Sequence, residues 1–443
     1  VKVSVTNKQI IRLAAPISLS LLIPQISFLT NTAFLGRLGE TELGVNGLTG
    51  IFYLILSMIG YGLSSGMQIQ MARRAGQNDS EGLAKILTNG LMLAVFLALS
   101  LMMLTLWFAP LIFGLSLHNT DNIALSIDFL YIRVWGLPFL MMTQLFNAFY
   151  ISISQSRYLI YGSLAATAVN IFFDYALIFG HFGMPHLGLF GAAVASIISE
   201  LVFCLTMFGI FYFRKFHFLY PLRFYADFSF KLCKRTLTIA APLIVQFMFS
   251  IGGWQIFFIF IEHLGEKELA ASQILRSIFG IVGVCTWAFA STCNTMVSNI
   301  IGQGRQNEVV SLIWKISKLS IAFTLVICAL LLGFSHQFLA LYRNDADLIN
   351  FAVPSLRVIT VATLIMSIST VIFNGVVGTG NTLVNLTMEV TCVCTYLIYC
   401  YVFIERLRSP LYICWGSEFV YWSSLLITSL LYLRSGRWKG KTI

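Results

Sequence analysis

The sequence predicts an all-α integral membrane protein: twelve transmembrane helices in two six-helix lobes related by a pseudo-twofold axis. Three observations carry this. Of the 443 residues, 58% are hydrophobic and 10% charged, with a mean hydropathy of +0.84; a soluble chain carries about 25% charged residues, so water is the wrong solvent. Apolar runs long enough to cross a bilayer recur twelve times. Landmarks of the first half also return in the second at a nearly constant displacement.

The spans lie near residues 10–35, 46–70, 85–112, 126–150, 157–180, 188–213, 232–262, 268–300, 308–335, 349–374, 383–404 and 411–433, each ended by Gly, Pro or a cluster of charges. Several exceed 25 residues, which permits tilt or bending. The longest polar connection, 214–231, falls between spans six and seven and separates an amino-terminal lobe, 1–213, from a carboxy-terminal lobe, 232–443. With both termini in the cytoplasm, 20 of the 28 Lys and Arg fall on the inner side, from Lys2, Lys8 and Arg12 to Arg434, Arg437, Lys439 and Lys441. Basic residues accumulate where translocation leaves them, so this orientation in the cytoplasmic (inner) membrane is expected, and the linker is cytoplasmic.

The repeat is explicit. Ala14-Ala15-Pro16 returns as Ala240-Ala241-Pro242, Leu38-Gly39-Glu40 as Leu264-Gly265-Glu266, and Gly76-Gln77 as Gly302-Gln303, all displaced by 226 residues. Phe146-Asn147 matches Phe373-Asn374 at 227, and Ser199-Glu200 matches Ser417-Glu418 at 218. An even number of spans per half means that both halves enter the membrane from the same side. The axis relating them then runs along the membrane normal, with a substrate site where the lobes face each other.

Charge and cysteine usage exclude other classes. The net charge of +10 is scattered between apolar runs and forms no groove-sized basic patch, so no nucleic-acid partner is expected. The nine cysteines mostly sit inside apolar runs without zinc-site spacing and read as small apolar fillers. The six histidines, from His118 to His336, fall at span ends or in loops. With no His-Glu-x-x-His, no nucleophile grouping and no Walker motif, neither an enzyme nor direct ATP drive is expected. The short polar start, Val1–Gln9, and the long apolar stretch behind it predict no cleavable signal.

One stretch stands apart. Residues 165–180 form an apolar run with a carboxylate in its middle, and Asn170 and Asp174, four apart, share one helix face. An ionised carboxylate at bilayer depth costs roughly 2.5–3.5 kcal/mol even on lenient scales, so Asp174 should face a cavity, an ion or a proton.

These residues resemble the multidrug and toxic compound extrusion (MATE) transporters, from Leu13-Ala14-Ala15-Pro16 to the end of span twelve. The resemblance rests on Asn31-Thr32-Ala33-Phe34-Leu35-Gly36-Arg37-Leu38-Gly39, on the run from Asn170 through Asp174 to Gly180, on Gly191–Ser196 and on the twofold Gly-Gln. It implies an antiporter exporting amphipathic, often cationic, organic compounds in exchange for H⁺ or Na⁺. It also implies a cation site of Asp174, Asn170, Asn31 and Ser196, with Na⁺ at Asp174 as one option. Asn31 stands where prokaryotic members carry an Asp and Ser196 where Thr is frequent, so one titratable group is missing. Pro16, matched by Pro242 in the repeat, corresponds to the proline at which span one bends in some members. The span-seven Glu of other branches falls on Ser250.

The chain has deep acids of its own, Glu389 in span eleven and Glu418 in span twelve, with Glu200 as the repeat partner of Glu418. Glu389 lies about eight residues from the turn Gly378–Asn381, roughly 12 Å deep at 1.5 Å per residue. Gln25, Asn147, Gln246, Gln255, Asn294 and Asn374 are candidate polar contacts for substrate. The alternative is a flippase for lipid-linked saccharides, which would need cavity arginines for a pyrophosphate. Its candidates are Arg276, Arg133 and Arg357, the last two read as snorkelling structural residues. No cofactor beyond a coupling ion is expected; the partners are small organic substrates and the lipid bilayer, and the working unit is a monomer.

Overall fold

The computed structural model describes residues 2–116, 120–224, 226–340 and 345–440; His118 and Lys441 lie outside these. Among the described residues it is entirely helical. The first half contains α1 (Asn7–Leu38), α2 (Glu40–Gly76), α3 (Ser80–Ser116), α4 (Thr120–Arg133), α5 (Leu137–Ser152), α6 (Arg157–Phe179) and α7 (Leu189–Phe213). A single turn, α8 (Phe216–Leu219), leads into the second half. That half contains α9 (Phe230–Glu262), α10 (Glu266–Gly302), α11 (Val309–Gly333), α12 (Ser335–Ala340), α13 (Ala346–Thr379), α14 (Thr382–Cys400), α15 (Leu411–Cys414) and α16 (Ser417–Ser435). A 3₁₀ turn, Val134–Gly136, joins α4 to α5, and α14 runs on into a π-helical turn, Tyr401–Arg406.

Eleven helices among the described residues are long and apolar enough to cross a membrane. The expected twelfth span is broken at Trp415-Gly416 into α15 and the 19-residue α16, which carries Glu418, Arg434 and several hydroxyl residues and is less apolar. Many helices outrun the apolar stretches that announce them. Thus α2 continues through the basic Arg73 and Arg74 to Gly76, because a helix bonds its own backbone whether lipid or water surrounds it. Trp107, Phe96 and Leu431, more than 60% exposed, form part of an apolar outer surface suited to lipid.

One pair of helices keeps the repeat in full: α2 and α10 both have 37 residues and begin and end 226 apart. Gly265, at φ 153°, makes the sharp entry to α10, and left-handed glycines, Gly180 and Gly380, cap α6 and α13. The Asp345 carboxylate accepts the Asp347 and Leu348 N–H groups and starts α13.

The chain forms two compact units, one of Val1–Ser18 with Val245–Ile443, the other of Leu19–Ile244. The changeovers therefore lie inside α1 and α9, each two residues after a proline, Pro16 and Pro242, and again 226 apart. In the first unit the segment leading into α1 is pinned to α10 and α11. Asn299 accepts the Val3 N–H at 3.2 Å, Gln303 donates to the Val3 carbonyl at 3.1 Å and Lys315 to that of Val5 at 2.9 Å. In the second unit Asn89 on α3 holds the lead into α9, donating to the Asp227 carbonyl and accepting the Ser229 N–H, both at 2.8 Å. Asn89 and Lys315 occupy equivalent places in the sequence repeat.

Each unit has its own core. In the first, Phe257, Phe258, Tyr396 and Trp415 are buried together, and the Trp415 indole donates to Ser272 at 3.1 Å. In the second, Phe216 of α8 packs on Phe149, Tyr150 and Tyr158, while the Tyr150 hydroxyl donates to the Met207 carbonyl at 2.8 Å. Aromatic rings thus anchor the start of the 214–231 connection to the unit that precedes it.

Candidate cation site

Asp174 lies on α6, five residues before its end, and is fully buried. The Asn31 amide on α1 donates to its Oδ2 at 3.2 Å, and one turn away the Ser27 hydroxyl donates to Asn170 Oδ1. Both pairs are separated by 143 residues in sequence. Two successive rungs with one offset require α1 and α6 to run in the same direction, as two odd-numbered spans should. Ser27 and Asn31 are four apart, as are Asn170 and Asp174, so each helix presents two polar groups on one face. Buried Asp174 Oδ1 and Asn170 Nδ2 have no hydrogen-bond partner among the described residues.

Magnitudes distinguish Asp174 from the other acid of this unit. Glu200 on α7 receives a two-pronged bond from Arg133, at 2.6 and 2.9 Å, and a bond from the Tyr53 hydroxyl at 2.9 Å, while the guanidinium stacks 3.7 Å from the Tyr53 ring centre. Its charge is matched. Asp174 has one neutral amide donor and an unpartnered Oδ1, so its charge is balanced less completely than that of Glu200, and a proton or a cation is the partner that would complete it. One carboxylate with amide and hydroxyl oxygens suits a monovalent ion better than a divalent one, which favours several carboxylates. Among the described residues no group of three His, Cys, Asp or Glu could hold a metal ion.

Ser196 is half-buried on α7 and makes no hydrogen bond to Asp174 or Asn170; Ser27, which sequence reading missed, occupies the fourth place in the cluster. The i, i+4 spacing of Ser27 and Asn31 was the available signal. Pro16 and Pro242 both lie inside helices, α1 and α9.

The acids of the other unit are also brought into contact with side chains. Glu389 on α14, 1% exposed, accepts hydrogen bonds from Ser250 on α9 and from Tyr421 on α16, the latter at 2.6 Å. Glu418 on α16, 3% exposed, accepts the Trp422 indole N–H at 2.9 Å. The cavity candidates are dispersed: Gln25 is exposed, Asn147, Gln255 and Asn374 half-buried, and Gln246 and Asn294 buried. Asn374 donates to the Thr370 carbonyl of its own helix at 3.0 Å, whereas the buried oxygens of Asn147, Gln246 and Asn294 lack partners among the described residues.

Two of the three arginines considered as pyrophosphate-binding candidates have definite contacts. Arg133 is paired with Glu200 instead of reaching for the interface, because a half-buried carboxylate lies within its reach. Arg276 stacks over Trp254 and Phe258, 5.0 and 5.1 Å from their ring centres. Arg357 is exposed.

Long apolar helices mark an integral membrane protein, and the buried, underbonded Asp174 marks a place on α6 suited to a proton or a cation. The profile of the MatE family matches residues 16–176 and 242–402, two stretches again displaced by 226, and the chain belongs to that family. It is a membrane transporter, not an enzyme. The chain is 26% identical over 355 residues to the probable multidrug resistance protein NorM of Photorhabdus laumondii, covering 78% of this chain and 76% of that one. It is 22% identical over 446 residues to the Thermotoga maritima protein of the same name, covering 99% and 94%. A crystal structure of a MATE protein in complex with MaD3S superposes with a TM-score of 0.89 at 17% identity over 98% of this chain and 97% of that one, which shows the shared fold.

Proposed function

We propose that the chain is a secondary antiporter that exports amphipathic, cationic organic compounds in exchange for H⁺ or Na⁺. The observation that carries this is Asp174: buried, held by a single neutral donor, with one oxygen unpartnered. The name carried by the NorM relatives, multidrug resistance protein, supports the substrate class. Protonation, or a Na⁺ held by the oxygens of Asp174, Asn170, Asn31 and Ser27, removes the cost of the bare charge. Either stabilises a different helix arrangement from the empty site. Inward movement of one charge releases about 2.3 kcal/mol per 100 mV, to which the ion gradient adds.

In this reading the halves, 1–213 and 232–443, are lobes related by a half-turn about the membrane normal. They alternate access to a central site, with 214–231 as the cytoplasmic linker between them. Helices α1 and α9 pass from one compact unit to the other just beyond Pro16 and Pro242, where a missing N–H already weakens the backbone ladder, and they are the places to bend. The protein works as a monomer in the cytoplasmic (inner) membrane, both termini inside. The polar side chains Gln246 and Asn294 take part in substrate recognition.

The test is uptake of ethidium into inverted proteoliposomes under an imposed H⁺ or Na⁺ gradient, wild type against Asp174→Asn. Gradient-driven accumulation is expected in the wild type and lost in the variant. Undiminished accumulation by a correctly inserted Asp174→Asn protein removes Asp174 from the mechanism.

A further inference from the structure

Glu389 has no part in the site built around Asp174, and its surroundings differ from those of Asp174, Glu200 and Glu418. It is 1% exposed. Ser250 from α9 and Tyr421 from α16 both donate to the same oxygen, Oε1, Tyr421 at 2.6 Å, and the two hydroxyl oxygens stand 3.4 Å apart. Oε2 accepts no hydrogen bond from the described residues. Three helices far apart in sequence therefore converge on one carboxyl group, and all that they bring is hydroxyl.

This is not a second copy of the Asp174 cluster. At a displacement of 226, Asp174, Asn170 and Asn31 fall on Cys400, Tyr396 and Phe257, which are buried in the apolar core of their unit. The rings of Phe257 and Tyr396 lie 6.2 Å apart. No carboxylate can occupy that place. Glu389 sits eleven residues earlier on the matching helix, about 16 Å along it at 1.5 Å per residue. Asp174 is near the end of α6, whereas Glu389 is the eighth of the nineteen residues of α14.

We propose that Glu389, Ser250 and Tyr421 form a second ion site, distinct from that of Asp174, which takes up and releases one proton in each transport cycle. The proposal rests on the antiport reading above and assigns the ion at this site. Proton uptake forms an O–H bond at Oε2 with a proton delivered by hydronium, leaving water and a neutral carboxyl group; release returns that proton to water. Oε1 keeps both hydroxyl bonds in either state, as a carboxylate oxygen or as the carbonyl oxygen of the acid, so the cluster does not have to come apart when the charge changes.

A proton fits better than Na⁺, because the cluster contains no amide or backbone carbonyl and both hydroxyl hydrogens are turned on the carboxylate. It also differs from Glu200, whose bidentate bond to Arg133 ties it to the ionised form. The titratable groups facing Glu389 are Tyr421 from α16 and, one turn along α14, Cys392. Glu418, also on α16, is engaged by Trp422, and α9 contributes only Ser250. No Lys, Arg or His among the described residues pairs with Glu389.

Two measurements test this. In proteoliposomes with the membrane potential clamped at zero and one pH unit across the membrane, each coupled proton multiplies the equilibrium ethidium ratio by about ten. Glu389→Gln is expected to lower the wild-type ratio about tenfold; a ratio equal to the wild type's overturns the second site. A wild type that accumulates no ethidium defeats the antiport reading instead, and the second measurement still decides Glu389. In pH-difference infrared spectra of the reconstituted protein, one protonated-carboxyl band should vanish in Glu389→Gln, survive in Asp174→Asn and move to higher wavenumber in Tyr421→Phe, which loses one bond to the carbonyl oxygen. A set of carboxyl bands unchanged in both Glu389→Gln and Tyr421→Phe overturns the assignment.

Discussion

Asp174 and Glu200 are one helix apart in the sequence and in the same unit, yet only Glu200 is hydrogen-bonded to a charged partner. Removing the guanidinium from the matched pair should expose the contrast. Arg133→Met is expected to destabilise the protein by about 3 kcal/mol, the low end for a buried pair that keeps some exposure. Arg133→Met with Glu200→Gln should recover most of that loss in thermal unfolding in detergent. A double variant no more stable than the single one would mean that the pair does more than balance charge. Ser27→Ala, which deletes the hydroxyl donated to Asn170, should cost about 1 kcal/mol by the same assay. The Asn170 and Asp174 pair was legible in the sequence because four-residue spacing in an apolar run needs no partner to be recognised. Ser27 had only its four-residue spacing from Asn31 to mark it, and Tyr421 had nothing, since a hydroxyl is unremarkable until another helix brings it to a polar partner.

Glycines set how closely the elements approach. Gly62 and Gly66 on α2 form a Gly-x-x-x-Gly face against α9. A Cβ at Gly62 would stand 2.7 Å from Ile244 Cα, and one at Gly66 2.9 Å from Ala240 Cα. Small residues at this spacing let two backbones meet within the membrane, where packing and not the hydrophobic effect holds helices together. Gly62→Val is therefore expected to push α2 and the start of α9 apart and to lower thermal stability by about 2 kcal/mol or more, in the range of overpacked cores. The lead segments offer a second test. Asn89→Ala removes both bonds holding residues 227–229 and should speed tryptic cleavage at Arg223, while a distant change such as Lys439→Ala leaves that rate unaltered. Spans and their repeat could be read from hydropathy and from Leu-Gly-Glu and Gly-Gln landmarks. The break between α15 and α16 could not, because Trp415-Gly416 interrupts a helix without interrupting an apolar run.

At the scale of the molecule, the basic residues predict which way the chain faces. A green fluorescent reporter fused to the carboxy end should fluoresce, as it does when it folds in the cytoplasm, and an impermeant thiol reagent should label a cysteine introduced at Lys439 only in inverted vesicles. Labelling from outside intact cells would reverse the orientation and, with it, the sense of transport.

What the sequence determined by itself is what depends on one segment at a time: an all-helical membrane chain, its spans, the doubling of its plan, the family and one acid out of place in lipid. These are matters of local composition and spacing, and the solvent enforces them before any helix meets another. Only the tertiary structure decided which acids are answered. Arg133 reaches Glu200, Asn31 and Ser27 reach the α6 face, Ser250 and Tyr421 reach Glu389, and α1 and α9 each change units beyond a proline. A charge buried in low dielectric takes its character from whatever lies within a few ångströms, and residues 32 to 143 positions away supply it.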